Sequence, residues 1–300
     1  MSMLIIQPVA VTDQVLVSSS VTETAALWSA TTNYTLGTRV RRPTNRVYEN
    51  LQAGVNASLP ESTRERWLDV GPTNTHAMFD NEVGTITRGA NSIRVTVRPG
   101  QIGGIAWLEL DGVTDIYVSM TTQATGALVY ERVVNLEVND ILDIWDFFFM
   151  PFEAGTDAVL SDLPAFSDGV LTFTLVGGPT VGCGVCKFGT VHVMGDTELG
   201  ARLGIVSYSR KKKNDFGRYT FVPSERGYGK TMDLTVVMPS AAFNRAARLL
   251  PKLLDVPCIY VLDDGPGFEA GILFGIYLDF FMLIDYQDEV SCGLQLEGLI

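Results

Sequence analysis

Apolar and polar residues alternate in short runs along much of this 300-residue chain. In Ser92-Ile93-Arg94-Val95-Thr96-Val97-Arg98, Ile93, Val95 and Val97 fall on one side and Arg94, Thr96 and Arg98 on the other. A period of two marks a strand with one buried face. Stretches 116–120 and 171–176 behave alike, and Pro99-Gly100, Asp111-Gly112 and Thr125-Gly126 supply turns between such runs. Many short strands at this spacing predict a β-sandwich of jelly-roll type. Beyond residue 195 the pattern predicts strands at 203–209 and 218–222 around an exposed loop at 210–217, then a strand at 233–237. Pro239-Ser240 opens the one helical pattern, 240–254, with Ser240 as its N-cap. Phe243, Ala246, Ala247, Leu250 and Leu254 share a face at helical spacing, and Pro251 should bend the helix or end it early. Strands at 258–262, 272–283 and 293–299 follow. The helix is expected to cover a mostly antiparallel sheet on the face carrying Ile272, Phe274 and Ile276. The fold class is mainly β with one flanking α-helix.

Composition divides the chain further. Residues up to about 72 are rich in Thr, Asn, Arg and isolated aromatics, and Gly71-Pro72 marks a break. The expected units are an N-terminal arm (1–24), a small aromatic unit (25–72), the sandwich (73–192) and a third domain (193–300). Lys and Arg number 22 against 34 Asp and Glu, so the net charge is 22 − 34 = −12. That balance argues against nucleic acid as the main partner, beyond nucleic acid in transit. The richest apolar run, 272–284, is broken by Asp279, so no membrane span is expected. The first residues lack a basic n-region and apolar core, which reads as a soluble protein made in a reducing cytoplasm.

Candidate chemistry is sparse. Cys183-Gly184-Val185-Cys186 has zinc-knuckle or redox spacing, but a structural zinc site needs a second ligand pair. Cys258 and Cys292 are distant in sequence, and the two histidines are His76 and His192. No metal and no cofactor are expected. Neither Gly-x-Ser-x-Gly nor His-Glu-x-x-His occurs, and the carboxylates of 263–264 and 285–289 sit at expected turns. No catalytic residue is assigned, and the chain is not expected to be an enzyme. The run Arg210, Lys211, Lys212, Lys213 is the sharpest charge feature. It reads either as a solvated hairpin tip or as an assembly contact, with an acidic neighbouring subunit or with passing nucleic acid.

Aromatics carry the most information. Trp28, Tyr34, Leu36-Gly37-Thr38-Arg39-Val40, Val47-Tyr48-Glu49, Pro60 and Trp67 follow the order of the small three-stranded chitin- and cellulose-binding modules, which this segment resembles. The resemblance implies that Trp28, Tyr34, Tyr48 and Trp67 stack on sugar rings. In so small a unit the same rings also serve as a core.

The following segment, Trp67-Leu68-Asp69-Val70-Gly71-Pro72-Thr73-Asn74-Thr75-His76-Ala77-Met78-Phe79-Asp80, resembles tail proteins of long-tailed bacteriophages. There a carbohydrate-module-like unit leads into a β-sandwich. The third domain is similar to the tail-tube fold, a split β-barrel with one helix, in its hairpin around Lys211, its helix from Ser240, Leu273-Phe274-Gly275 and the closing Leu296-Glu297-Gly298. These resemblances imply a structural virion protein: a distal-tail or baseplate ring component made in the host cytoplasm. Its implied partners are copies of itself, the tail tube and baseplate hub, tail fibres, and a host-surface glycan for the small module. The rival readings are a secreted chitin- or peptidoglycan-directed hydrolase with an accessory module, and a receptor-binding fibre tip.

Overall fold

A computed structural model describes residues 2–82, 84–138, 143–149, 153–207, 210–213, 219–222, 228–263, 265, 269–284 and 288–299. The protein is mainly β, with 56% of residues in strands, 10% helical and one helical segment of 14 residues. A short helix that the sequence pattern did not predict, Ile144–Phe149, adds a second.

Thirteen strands form one sheet. Along its main path run Leu128–Asn135, Gly104–Thr122, Gly169–Thr197, Ser2–Pro8, Cys258–Val261, Ile272–Leu283, Glu289–Gly298, Tyr228–Pro239 and Arg202–Ser207. Each neighbouring pair is antiparallel. Gly169–Thr197 is 29 residues long and serves both halves of the molecule. Its first part pairs with Ser92–Val97, and its last part with Ser2–Pro8. The expected domain boundary at 192/193 therefore falls inside a strand. The 1–24 segment, expected as an arm, supplies a central strand, with Met3, Ile5 and Ile6 fully buried.

The long pair Gly104–Thr122 and Gly169–Thr197 shifts register twice, between Asp111 and Val113 and between Val113 and Asp115. Gly112 sits there at φ 66°, and a Cβ on Gly177 would collide with the Gly112 carbonyl. Glycine at both positions lets the strands bend at this irregularity. On one side lies the sandwich core, built from Ile93, Val95, Trp107, Ile116, Phe173 and Leu175. A second cluster, including Leu4, Ile6, Leu108, Ile259, Ile272 and Phe274, fills the opposite face.

The third core lies under the helix. Ser240–Ala242 is a 3₁₀ turn, Phe243–Leu249 is α-helical, and Leu250–Leu253 returns to 3₁₀ with Pro251 in its first turn. Ser240 makes no side-chain capping bond, and Pro239 occupies the cap position. Ala246, Leu250 and Leu253 are buried, while Leu254 is 55% exposed. The predicted face is thus corrected by one position: a 3₁₀ turn places i+3 below i, so Leu253 follows Leu250 inward. The sheet face is corrected too. Leu273 and Tyr277 share the helix core, whereas Ile272 and Phe274 point to the other side. Tyr277 Oη donates to the Leu250 carbonyl at 2.7 Å, satisfying an acceptor freed at the helix end.

Candidate functional site

The aromatic unit is a four-stranded sheet, not the expected three-stranded one. It orders Ala26–Leu27, Arg39–Arg41, Arg46–Asn50 and Trp67–Pro72, beside a small Asn33–Tyr34/Gly54–Val55 pair. Tyr34, Tyr48 and Trp67 are only 6%, 6% and 2% exposed and, with Val40, form the unit's core. The Tyr34 ring meets Trp67 edge-on at 5.4 Å. Half-buried Trp28 packs against this cluster, and the Arg42 guanidinium lies 4.8 Å from its ring centroid. The open ring faces needed for sugar stacking are therefore absent at Tyr34, Tyr48 and Trp67, and Arg42 occupies one beside Trp28. The physical reason is size: a small unit meets its need for buried apolar area with its largest rings.

The Gly-Pro-Thr-Asn and Met-Phe-Asp segment is a structural seam. Glu23 accepts hydrogen bonds from the backbone N–H groups of Asn74 (3.1 Å) and Thr75 (2.8 Å) and from Thr75 Oγ1 (2.5 Å). Asn74 Nδ2 donates to the carbonyls of Thr22 and Arg88, and Thr87 Oγ1 donates to the Asn74 carbonyl. Met78 and Phe79 insert into the sandwich core. Lys187, almost fully buried, donates to the carbonyls of Phe79 (2.7 Å) and Asp80 (2.8 Å) and to Asn81 Oδ1 (2.9 Å). Burial lowers its pKa to about 8, against the opposing pull of Cys186 and Asp80.

Cys183 and Cys186 lie in the sandwich core, and burial pushes both thiols well up. Among the described residues no group of three His, Cys, Asp or Glu side chains comes together as a metal site. Arg210–Lys213 is a strand paired with Tyr219–Val222, not a loop. The side chains of Lys211, Lys212 and Lys213 lie outside the described residues, as does Asp285.

A cleft of about 850 Å³ opens between the sandwich and the third domain. Val133, Val159, Leu203, Ile205, Asp157 and Lys230 are among the residues that line it. Lys230 Nζ donates to Asp157 Oδ2 at 2.6 Å, and Asp157 Oδ1 accepts the Glu109 N–H at 3.2 Å. Glu109 adopts φ 53°, a left-handed conformation in the middle of a strand. Burial raises the pKa of its carboxyl group, the Asp157 charge adds to the rise, and Lys230 opposes it. The set ties Gly104–Thr122 to Tyr228–Pro239 across the cleft. Sequence reasoning missed it, since Glu109, Asp157 and Lys230 share no local spacing.

Sequence reasoning also missed an exposed aromatic tip. Glu137–Val138 and Glu153–Ala154 pair as a two-stranded stem leading to the Ile144–Phe149 helix. Ile144, Trp145, Phe148 and Phe149 are 78%, 65%, 68% and 64% exposed. The Trp145 and Phe149 rings lie 4.2 Å apart and 34° from parallel. The string Ile-Trp-Asp-Phe-Phe-Phe was itself the available signal.

No family model matches the chain, and no curated protein matches its sequence.

Proposed function

We propose that this chain is a structural component of a phage tail tip that assembles as a ring and links the tail tube to the baseplate or fibres. The observation that supports this best is the end of the large sheet. Among the described residues Arg202–Ser207 pairs with Tyr228–Pro239 alone, and all six of its residues are exposed, Leu203, Ile205 and Val206 included. A strand with apolar side chains bare on both faces, at a sheet edge, is the surface that a neighbouring protein completes. Later in the chain Arg210–Lys213 pairs antiparallel with Tyr219–Val222, a strand pair that this reading takes as an arm.

Under this reading the sheet edge and arm make the ring contacts, and the small aromatic unit is carried outside. Its buried rings leave it as a spacer or docking platform. The test is negative-stain microscopy and light scattering of the full chain, alone and mixed with a tail-tube protein. Rings, or a ring capping tube ends, are expected. A strictly monomeric chain that ignores the tube would overturn the reading.

A further inference from the structure

Lys187 Nζ is held against a side chain with which it can react. Its ammonium has three N–H donors, and all three are used: on the carbonyls of Phe79 and Asp80 and on Asn81 Oδ1, at 2.7, 2.8 and 2.9 Å. Loss of one proton leaves the amine two donors and a lone pair. The two buried carbonyls keep the donors, so the lone pair falls to Asn81, whose Cγ carries the accepting oxygen. An amine held against a carboxamide is a nucleophile at its electrophile. Fixed proximity of this kind turns a very slow bimolecular reaction into an intramolecular one.

The surroundings favour the reactive form. Lys187 is almost fully buried, and the Phe274 ring centroid lies 5.3 Å from Nζ. The same loop supplies a proton carrier. Asp80 Oδ1 accepts from Thr85 Oγ1 (2.9 Å) and the Glu82 N–H (3.1 Å), whereas Oδ2 is buried with no hydrogen-bond partner among the described residues. Burial raises the Asp80 pKa and lowers that of Lys187 to about 8. The two shifts act together: a proton moved from ammonium to carboxylate turns a buried ion pair into a neutral amine and a neutral acid. The other ionisable groups facing this pair are Glu82, which adds to the rise at Asp80 and pairs with Arg46, and the Cys186 thiol, which burial keeps protonated.

We propose that Lys187 and Asn81 join through an amide crosslink between their side chains. Nζ attacks Asn81 Cγ, and the new C–N bond forms as the Cγ–Nδ2 bond breaks. Asp80, protonated by the ammonium, gives that proton to the departing Nδ2 and takes up the proton that Nζ loses on acylation. Ammonia leaves, and no oxidant, reductant or co-reactant enters. The bond ties Gly169–Thr197 to the segment that follows Ala77–Phe79, across 106 residues of chain. Like a disulfide of that span it restricts the unfolded chain, but no reductant can open it. It stands independently of the ring reading.

The test is intact-mass spectrometry of the full-length protein, incubated from about pH 5 to about pH 10, followed by tryptic mapping. Wild type should lack one ammonia, on isolation or after incubation. It should yield a branched peptide joining Asn81 to Lys187, with no cleavage after Lys187. The rate should follow a bell: slow below the Asp80 pKa, where the lysine keeps its proton, and slow above about pH 8, where Asp80 has none to give. Asn81→Ala, at an exposed position, should stay folded by circular dichroism and lose nothing. Asp80→Asn should react at least about a hundredfold more slowly at neutral pH, with a profile that only rises through about pH 8. Concentrated urea should stop the wild-type reaction, because the contact exists only in the folded chain. The crosslinked protein should melt at a higher temperature than the same protein before reaction. A folded wild type whose mass is that of the full sequence at every pH would overturn the proposal. So would an ammonia loss that persists in Lys187→Arg without a branched peptide, which would mean closure of Asn81 on its own backbone.

Discussion

At Lys187 one ammonium holds three acceptors from a single loop. Lys187→Met keeps the apolar stem but leaves two buried carbonyls and an amide oxygen unpaired. Such a loss costs about 1–3 kcal/mol per stranded group, so the urea midpoint should fall by the equivalent of about 3 kcal/mol. The four cysteines set a pH dependence. Cys258 and Cys292 are raised from 9.0 to about 12 and about 11 by burial, and Cys183 and Cys186 are also raised. Above pH 9 the unfolded chain releases thiol protons that the folded chain keeps, so this stabilisation is complete below pH 9 and is lost as pH rises. Lys187, lowered from 10.5 to about 8, works the other way between those values. Each fully shifted group contributes about 1.4 kcal/mol per pH unit. Four thiols outweigh one lysine, so stability should fall between pH 9 and 11 in urea titrations, and a midpoint that rises throughout that range would contradict the burial. Little of this was legible in sequence. Cys-x-x-Cys announced itself, but the acceptors of Lys187 lie more than 100 residues away.

The helix shows how an element can be read correctly and faced incorrectly. Pro239, Ser240 and the apolar spacing located it, and Pro251 signalled its change of geometry. The change itself moved the last inward residue from Leu254 to Leu253. Leu250→Asp should cost about 4 kcal/mol or more, because it buries a carboxylate beneath the helix, whereas Leu254→Asp should stay within about 0.5 kcal/mol. Thermal melts of the two variants separate these outcomes. The sheet beneath was misfaced for a different reason. Ile272, Leu273 and Phe274 are all buried, on alternating sides, because both faces of that strand are covered. A strand buried on both faces has no polar alternation to reveal its register. Ser92–Val97, with exposed Arg94 between buried Ile93 and Val95, kept the alternation and was read as it stands.

For the whole molecule, the boundary expected at Gly71-Pro72 lies at the end of the strand Trp67–Pro72, whereas the one expected at 192/193 lies inside Gly169–Thr197. Glu23 and Thr75 hydrogen-bond across the base of the aromatic unit, so the chain leaves and re-enters the main body at nearly one place. Replacing residues 25–72 with a short Gly/Ser linker should preserve the β-type circular dichroism and shift the melting temperature by only a few degrees. Loss of the folded signal would mean that the unit helps to build the sheet. No such excision is available at 192/193, where one strand belongs to two cores. That fusion has no composition signature: the start of Gly169–Thr197 alternates as an ordinary strand would, 181–189 is buried throughout, and the strand runs on through 192/193.

The placement of Ser2–Pro8 also sets the order of events during synthesis. This strand is made well before its partners, Gly189–Asp196 on one side and Ile259–Val261 on the other. Leu4 and Val261 are 261 − 4 = 257 residues apart. Met3, Leu4, Ile5 and Ile6 must therefore wait, apolar and unpaired, until Gly189–Asp196 has been made, and for their second partner until Val261. Contacts of such separation are slow to form, and strands left waiting are prone to pair with the wrong neighbour. Production of this protein should accordingly be limited by how well the waiting Ser2–Pro8 segment is shielded. Slower growth at low temperature, or a chaperone held on Ser2–Pro8, should raise the soluble yield more than any stabilisation of the finished fold.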